Sequence, residues 1–270
     1  MKMSRRKGVA LMLALWLIVL LAVLGATVVS SSRSASGVAS NLRARMIGRY
    51  AAESGVVLAV AMVRDSLARL VDPAERALYL NSLELESARK PETALSDERF
   101  SIVYVDVNSR LDVNNASQSQ LAKLFSYFVG PAEATNAARS VRQWIDGGGG
   151  VQSLPPGALR ARIDLSYPRM SGARPLRTLE ELRRIPGVPE QLAVDAASYL
   201  TVDGDGRINR SSASDTVMSA AAGSLIDEPT RILIISRGWL NGHPLTHEIQ
   251  AVYGIEGNSV ALVRWQERDL

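Results

Sequence analysis

The run in this 270-residue chain whose oxygen-bearing side chains are spaced like metal ligands is Asp203-Gly204-Asp205-Gly206-Arg207-Ile208-Asn209. Alternating Asp and Asn, with glycines for a tight turn, is how a calcium loop begins. A complete loop wants an oxygen ligand where Arg207 stands and a glutamate at the twelfth place, which is missing. A distant acid such as Asp146 or Asp164 would have to complete the set, and a solvated turn is the alternative reading. Calcium is the one cofactor the residues suggest, with Asp203, Asp205, Asn209 and Asp146 as its candidate ligands. Other chemistry is sparse. There is no cysteine, hence no disulfide and no thiolate. The two histidines, His243 and His247, fall beside a hairpin turn and in an expected strand. An i, i+4 pair on a strand shares a face but brings no third ligand. No Gly-x-Ser-x-Gly, phosphate loop or zinc spacing occurs, so the residues argue against an enzyme.

The strongest positional signal is at the N-terminus. Lys2, Arg5, Arg6 and Lys7 precede Gly8, and Val9 to Val29 then run without a charge. A helix of that length spans roughly 30 Å, enough to cross the hydrocarbon core of a bilayer. The basic cluster favours a cytoplasmic N-terminus and an exported body beyond Ser30. Three readings fit the run: a cleaved secretory signal, a plain signal anchor, and a processed anchor cut beside the glycine. A secretory signal usually has a shorter apolar core, although Gly25-Ala26-Thr27 supplies small residues at its end.

Charge is unevenly placed. Net charge is +4, but four of the 31 basic residues precede Gly8 and no acid does, which leaves 27 basic against 27 acidic residues beyond it. A neutral body lacks the counterion release that drives nucleic-acid binding. No nucleic acid is therefore expected as a partner.

The elements that must position these residues follow from periodicity. No proline interrupts Val9 to Asp72, and Pro73 is a natural stop. Val38, Leu42, Met46, Tyr50, Val57, Met62, Leu67 and Leu70 recur at helical spacing, and this stripe is expected to be a core face. A short helix and a loop fill 74–98. Phe100–Val107 reads as a strand, Asn108-Ser109 as a turn, and Arg110–Val113 as its partner strand. A helix capped at Asn115 or Ser117 presents Leu121, Leu124, Phe125 and Phe128, and another spans Ala132–Ile145. Gly147–Gly150 is a flexible tract and 151–177 is irregular. A helix with Thr178 and Glu181 at capping-box spacing, a Pro-Gly turn, a helix over Pro189–Tyr199 and a short helix at Asp215–Ala222 follow. Three strands close the chain, RILIISRGWL, HEIQAVYGIE and SVALVRWQE, the first two joined at Asn241-Gly242, a two-residue hairpin signal. The plan is α+β.

Two segments, Val113-Asn-Asn-Ala-Ser117 with Leu121 and Leu182-Arg-Arg-Ile-Pro-Gly187-Val-Pro189, resemble halves of helix-hairpin-helix units. DNA-binding versions hold phosphate on glycine-turn amides, and Pro189 removes one such donor here. A membrane-anchored helix-hairpin-helix protein for DNA binding or uptake is the alternative function.

Basic residues, a glycine and an apolar helix, in that order, resemble the leader of type IV pilins and type II secretion pseudopilins. The resemblance implies cleavage between Gly8 and Val9 by a prepilin peptidase, with methylation of Val9 as first mature residue. It divides the chain into a leader (1–8) and a transmembrane helix (9–30). Most such proteins carry a glutamate at the fifth mature position, where this chain has Leu13. The K-type minor pseudopilin also lacks it. Further features resemble that family: Phe100–Val107 leading to Leu111-Asp-Val-Asn-Asn-Ala116, Gln143-Trp-Ile-Asp146, Leu179-Glu-Glu-Leu-Arg-Arg-Ile-Pro-Gly187 and Val263-Arg-Trp265. The chain therefore resembles the type II secretion minor pseudopilin K over nearly its whole length. This implies a long N-terminal helix on an antiparallel pilin-like sheet, split into a core of 31–111 and 223–270 around an α-helical insert at 112–222. It implies the I and J minor pseudopilins, the major pseudopilin, the prepilin peptidase and the inner-membrane assembly platform as partners. It places the protein in the bacterial inner membrane with its body in the periplasm, at the pseudopilus tip. It implies bound calcium in some members, although Gly147–Gly150 stands where acids often follow Trp-Ile-Asp.

Overall fold

The computed structural model describes residues 5–89, 92–147, 174–221, 223 and 225–270. The Gly147–Gly150 tract beyond Gly147, the stretch 151–173 and with it Asp164 lie outside the described residues.

Without a proline to stop it, one helix, α1 (Arg5–Arg69), continues for 65 residues from the apolar span into the body. At 1.5 Å per residue it is about 100 Å long. Residues 11–27 are exposed on all sides and the apolar window has a mean hydropathy of 2.7, the composition of a membrane span. Pro73 sits at the first position of α2 (Pro73–Arg89), where a missing N–H costs nothing. Two strands follow, β1 (Thr93–Leu95) and β2 (Glu98–Asp106).

The chain then leaves the sheet. β3 (Leu111–Asp112) leads to α3 (Gln118–Phe125) and α4 (Pro131–Ile145). A 3-10 turn over Leu179–Arg184, α5 (Glu190–Asp195), β4 (Leu200–Thr201), β5 (Ile208–Asn209), α6 (Asp215–Ala220) and β6 (Leu225–Ile226) complete the insert. The sheet resumes with β7 (Arg231–Leu240), β8 (Thr246–Glu256) and β9 (Ser259–Asp269). Its order is β1-β2-β7-β8-β9, antiparallel throughout, so the insert is a loop between neighbouring strands β2 and β7. Two apolar clusters result. One joins α1 and α2 to the sheet and the other fills the insert.

The buried face of α1 is not the expected one. Val38, Leu42, Met46, Tyr50, Val57 and Met62 are 50–69% exposed, and only Leu67 of that stripe is buried among its larger members. The face on the sheet is made of Ala44, Ala51, Ala52, Val56, Ala59, Val60 and Val63. The reason is proximity. A Cβ on Gly238 of β7 would lie 2.2 Å from the carbonyl oxygen of Gly48 and 2.3 Å from the amide of Ala52. A Cβ on Gly55 would lie 2.2 Å from Ser236 Oγ and 2.9 Å from Phe100 Cδ2. Backbones that close admit only small residues, so the large apolar side chains turn outward.

Other local expectations changed for equally simple reasons. Arg110–Val113 is not a partner of β2: Leu111 and Asp112 pair in parallel with Leu200 and Thr201. Strand β2 pairs instead with β7, a far longer partner that completes the sheet. Ser117, not Asn115, caps α3, in a reciprocal capping box with Gln120. Thr178 makes no side-chain cap, because the Glu181 carboxylate accepts from the Arg177 amide and from Arg174. The expected helix over Pro189–Tyr199 stops at Asp195 and gives way to a 3-10 turn. The Asn241-Gly242 hairpin is not a two-residue loop. Pairing ends at Trp239–Thr246, since Pro244 has no N–H to extend the ladder. Finally, Leu225–Ile226 pair with β5 inside the insert, so the sheet resumes at Arg231 rather than at 223.

On the sheet face away from α1, Glu248 has a fully buried side chain. It accepts from Arg237 Nε at 2.6 Å, Gln250 Nε2 at 2.7 Å and Arg268 Nη2 at 2.7 Å. Burial alone would raise its pKa, but these hydrogen bonds outweigh it and hold the carboxyl below its ordinary value.

Gly238→Ala should destabilise the protein by about 3 kcal/mol through overpacking against backbone, measured by denaturant unfolding of the full chain in detergent. The depressed Glu248 pKa contributes stability above the ordinary glutamate value of about 4.3, lost as pH falls through the folded value. Glu248→Gln should therefore flatten the acid limb of a stability–pH curve below about pH 5, while an unchanged limb would assign it to other carboxylates.

Candidate functional site

Two places hold the residues with functional chemistry: the N-terminal end of α1 and the joint between sheet and insert. At the first, Gly8 and Val9 lie within the helical backbone of α1. Leu13 is exposed among exposed leucines, with no packing partner outside its own helix among the described residues.

The joint begins where β2 ends. Asp106 Oδ1 accepts from the Asn108 amide at 2.8 Å and so caps the 3-10 turn Val107–Ser109. Its Oδ2 accepts from Asn209 Nδ2 at 2.7 Å and Ser212 Oγ at 2.5 Å. Burial raises its pKa despite those donors. Asn108 is wholly buried and uses its amide fully. Nδ2 donates to Asp205 Oδ1 at 2.9 Å and to the Arg207 carbonyl at 3.1 Å. Its Oδ1 accepts from the amides of Thr230 at 3.0 Å and Arg231 at 2.8 Å. One side chain thus ties the insert's β4–β5 loop to the start of β7.

The candidate calcium ligands are placed as follows. Asp203 and Asp205 share one loop but point to different partners. Asp203 Oδ2 is 2.6 Å from Arg264 Nη2 on β9. Asp205 Oδ2 accepts from Thr230 Oγ1 at 2.7 Å and lies 3.0 Å from Arg207 Nε. Burial would raise the Asp205 pKa, yet the Thr230 and Arg207 donors bring it below its ordinary value. Asn209 gives its amide to Asp106 and to Asn81 Oδ1, at 2.7 Å each. Asp146 ends α4 and pairs with Arg142 Nη2 at 2.5 Å. Calcium asks for six to eight converging oxygens. These four side chains do not converge, the three carboxylates already face guanidinium groups, and among the described residues no group of three or more His, Asp or Glu side chains is gathered for a metal. The residues as arranged do not fit calcium.

The histidines are separate from this joint. His243 Nδ1 accepts from the Leu245 amide at 3.3 Å. His247 stands between two β9 carboxylates, Nδ1 2.8 Å from Asp269 and Nε2 3.2 Å from Glu267, which therefore engage opposite sides of the ring. In the second hairpin-like turn, Gly187 takes φ +91° and its Cβ position would be 2.6 Å from Ser140 Oγ, so that turn abuts α4. Sequence reasoning missed Asp106, Asn108, Asp112, Thr230, Arg231 and Arg264. Only Asp106-x-Asn108 and Asp112-x-Asn114 carried a local signal, acids that cap the residue two places on.

No family model matches the chain, and no curated protein matches it. Among solved structures it is similar to a chain in the crystal structure of the GspK-GspI-GspJ complex from the enterotoxigenic Escherichia coli Type 2 Secretion System. The TM-score is 0.53 at 14% identity, over 80% of this chain and 98% of that chain. The fold is GspK-like. The GspK-like fold accounts for a long α1, an antiparallel sheet and a helical insert opening between neighbouring strands.

Asn108→Ala would leave the Thr230 and Arg231 amides and Asp205 without their buried partner. At about 1–3 kcal/mol for each unsatisfied group, the loss should be about 4 kcal/mol. Denaturant melts of the full chain in detergent measure it, and a loss below about 1 kcal/mol would show that the joint is not held there.

Proposed function

We propose that this chain is a minor pseudopilin of a type II secretion system, of the K type. It sits at the pseudopilus tip with the I and J minor pseudopilins, initiates assembly and limits further growth. The reading is carried by the GspK-like fold, with its insert between neighbouring sheet strands, on a single apolar anchor. Its role is mechanical and needs no catalytic residue.

The physical features suit that role. The apolar span anchors the chain in the inner membrane, and the basic cluster before Gly8 keeps its N-terminus cytoplasmic, which puts the body in the periplasm. Because α1 spends its small residues on the sheet, the stripe from Val38 to Met62 remains free above the span. Subunits with the same long helix would cover that stripe by packing alongside, the I and J pseudopilins first and the major pseudopilin below. Helix packing of this kind offsets the cost of drawing an apolar anchor from lipid toward a filament. Leu13 fits a subunit with nothing above it. An acid in lipid is costly unless a neighbouring amine meets it, and the top subunit has no such neighbour. The insert bulks on one side of the core, where it would obstruct a further subunit. The inner-membrane assembly platform is the remaining partner of this reading.

Co-expression with a prepilin peptidase should remove eight residues and methylate Val9, read by mass spectrometry; an intact Met1 in a secreting cell would overturn the assignment. Leu13→Glu should give no gain in secretion and should lower tip assembly several-fold through its buried charge, read by capture of the I–J pair and by pseudopilus counts. A rise in either readout would refute the tip position.

A further inference from the structure

We propose that Arg231 and Arg264 serve as a built-in, tethered cation for the insert's β4–β5 loop, in place of a bound metal ion. The two guanidinium groups come from β7 and β9, and the oxygens they meet come from the insert, so the charges also fasten insert to sheet.

The geometry is that of a cation in an oxygen nest. Arg231 Nη1 donates to the carbonyl oxygens of Asp203 at 2.6 Å and Gly204 at 2.7 Å, so two consecutive carbonyls converge on one nitrogen. Arg264 Nη2 meets Asp203 Oδ2 at 2.6 Å, and its Nη1 donates to the Arg177 carbonyl at 3.2 Å. Asp112 closes the nest from below. Gly204 lies so near it that a Cβ there would be 2.6 Å from Asp112 Cβ and 3.1 Å from Asp112 Oδ2. Asp112 is itself buried and is braced by the Asn114 amide at 3.0 Å and by Asn115 Nδ2. Asp203 thus meets both guanidinium groups, Arg231 through its carbonyl oxygen and Arg264 through its carboxylate, with the Asp112 carboxyl close beneath Gly204.

These guanidinium groups supply the positive charge that a metal would bring. Neighbouring like charges on buried Asp112 and partly buried Asp203 would otherwise call for a divalent ion or a proton. An arginine stays charged at any physiological pH, cannot be chelated, and is covalently held at the effective concentration of an intramolecular group. A calcium ion entering the same nest would meet a fixed positive charge. The loop thus keeps carbonyls aimed inward and acids in pairs, the architecture of a cation site, while the cation is part of the chain. The inference is independent of the type II secretion reading, since it concerns only how the insert is closed.

The test compares melting of the full chain in detergent with calcium and with chelator, for wild type and for Arg231→Gln. Wild type should melt at the same temperature in both, within about 1 °C, because no site is linked to folding. Arg231→Gln opens the carbonyl pair and removes the positive charge nearest Asp112. It should melt several degrees lower in chelator, recover much of that loss in calcium, and acquire terbium luminescence that wild type lacks. Wild type that loses stability in chelator overturns the proposal, as does a variant that loses stability without responding to calcium. Should Arg231→Gln not fold, Arg264→Gln carries the same test by freeing Asp203 alone: a calcium response supports the tethered cation and its absence refutes it.

Discussion

Among the described residues the two apolar clusters do not merge, and the joint between them is polar. Asn108 is the centre of that joint. It has no accessible surface, yet both amide protons and the carbonyl oxygen are engaged. A buried amide is tolerable only when satisfied in this way. Because its donors reach the insert and its acceptor reaches β7, the side chain is satisfied only when insert and sheet hold one relative position. Apolar contact would have been more forgiving of small shifts, since it is non-directional. The Asp106–Asn209 and Arg231–Asp203 contacts repeat this logic on either side.

The second constraint is the close crossing of α1 over the sheet. Gly48, Gly55 and Gly238, with a run of alanines, let backbone approach backbone. The contact itself then needs few large side chains. Tyr104, Ile232, Ile234, Ile249 and Tyr253 fill the space on either side of it. The consequence is a division of labour along one helix. One face is committed to its own sheet, and a second, with Met46, Tyr50 and Val57, is left for other surfaces. The same helix is exposed on every side in its apolar span, whose length and composition suit a lipid medium.

A fold held by small-residue contacts, satisfied amides and internal ion pairs survives extensive change at other positions. This is how a chain can share an architecture at 14% identity while no family model matches its sequence. The identity of a loop's cation is among the details free to change, since a guanidinium meets the same need for positive charge in an oxygen-lined loop as a metal does.

Much of the element order was legible from the residues. The uninterrupted α1, a cap for α3 at Asn115 or Ser117, α4 and the three final strands follow from proline placement, capping chemistry and β-branched runs. The anchor and its flanking charges need no tertiary information at all, because a membrane reads length, apolarity and charge directly. What the chain alone did not disclose was which face of α1 is buried, which strand completes β2, and what faces Asp203 and Asp205. The large apolar stripe looked like a core because periodicity reports apolar character and not distance, and here distance excluded it. Leu111–Asp112 looked like a hairpin partner, whereas β2 pairs with a strand more than a hundred positions on, and such long-range pairing leaves no local mark. Arg231 and Arg264 are likewise remote from the loop whose oxygens they neutralise. Short-range physics is written along the chain, while close approach and charge pairing exist only once distant segments meet.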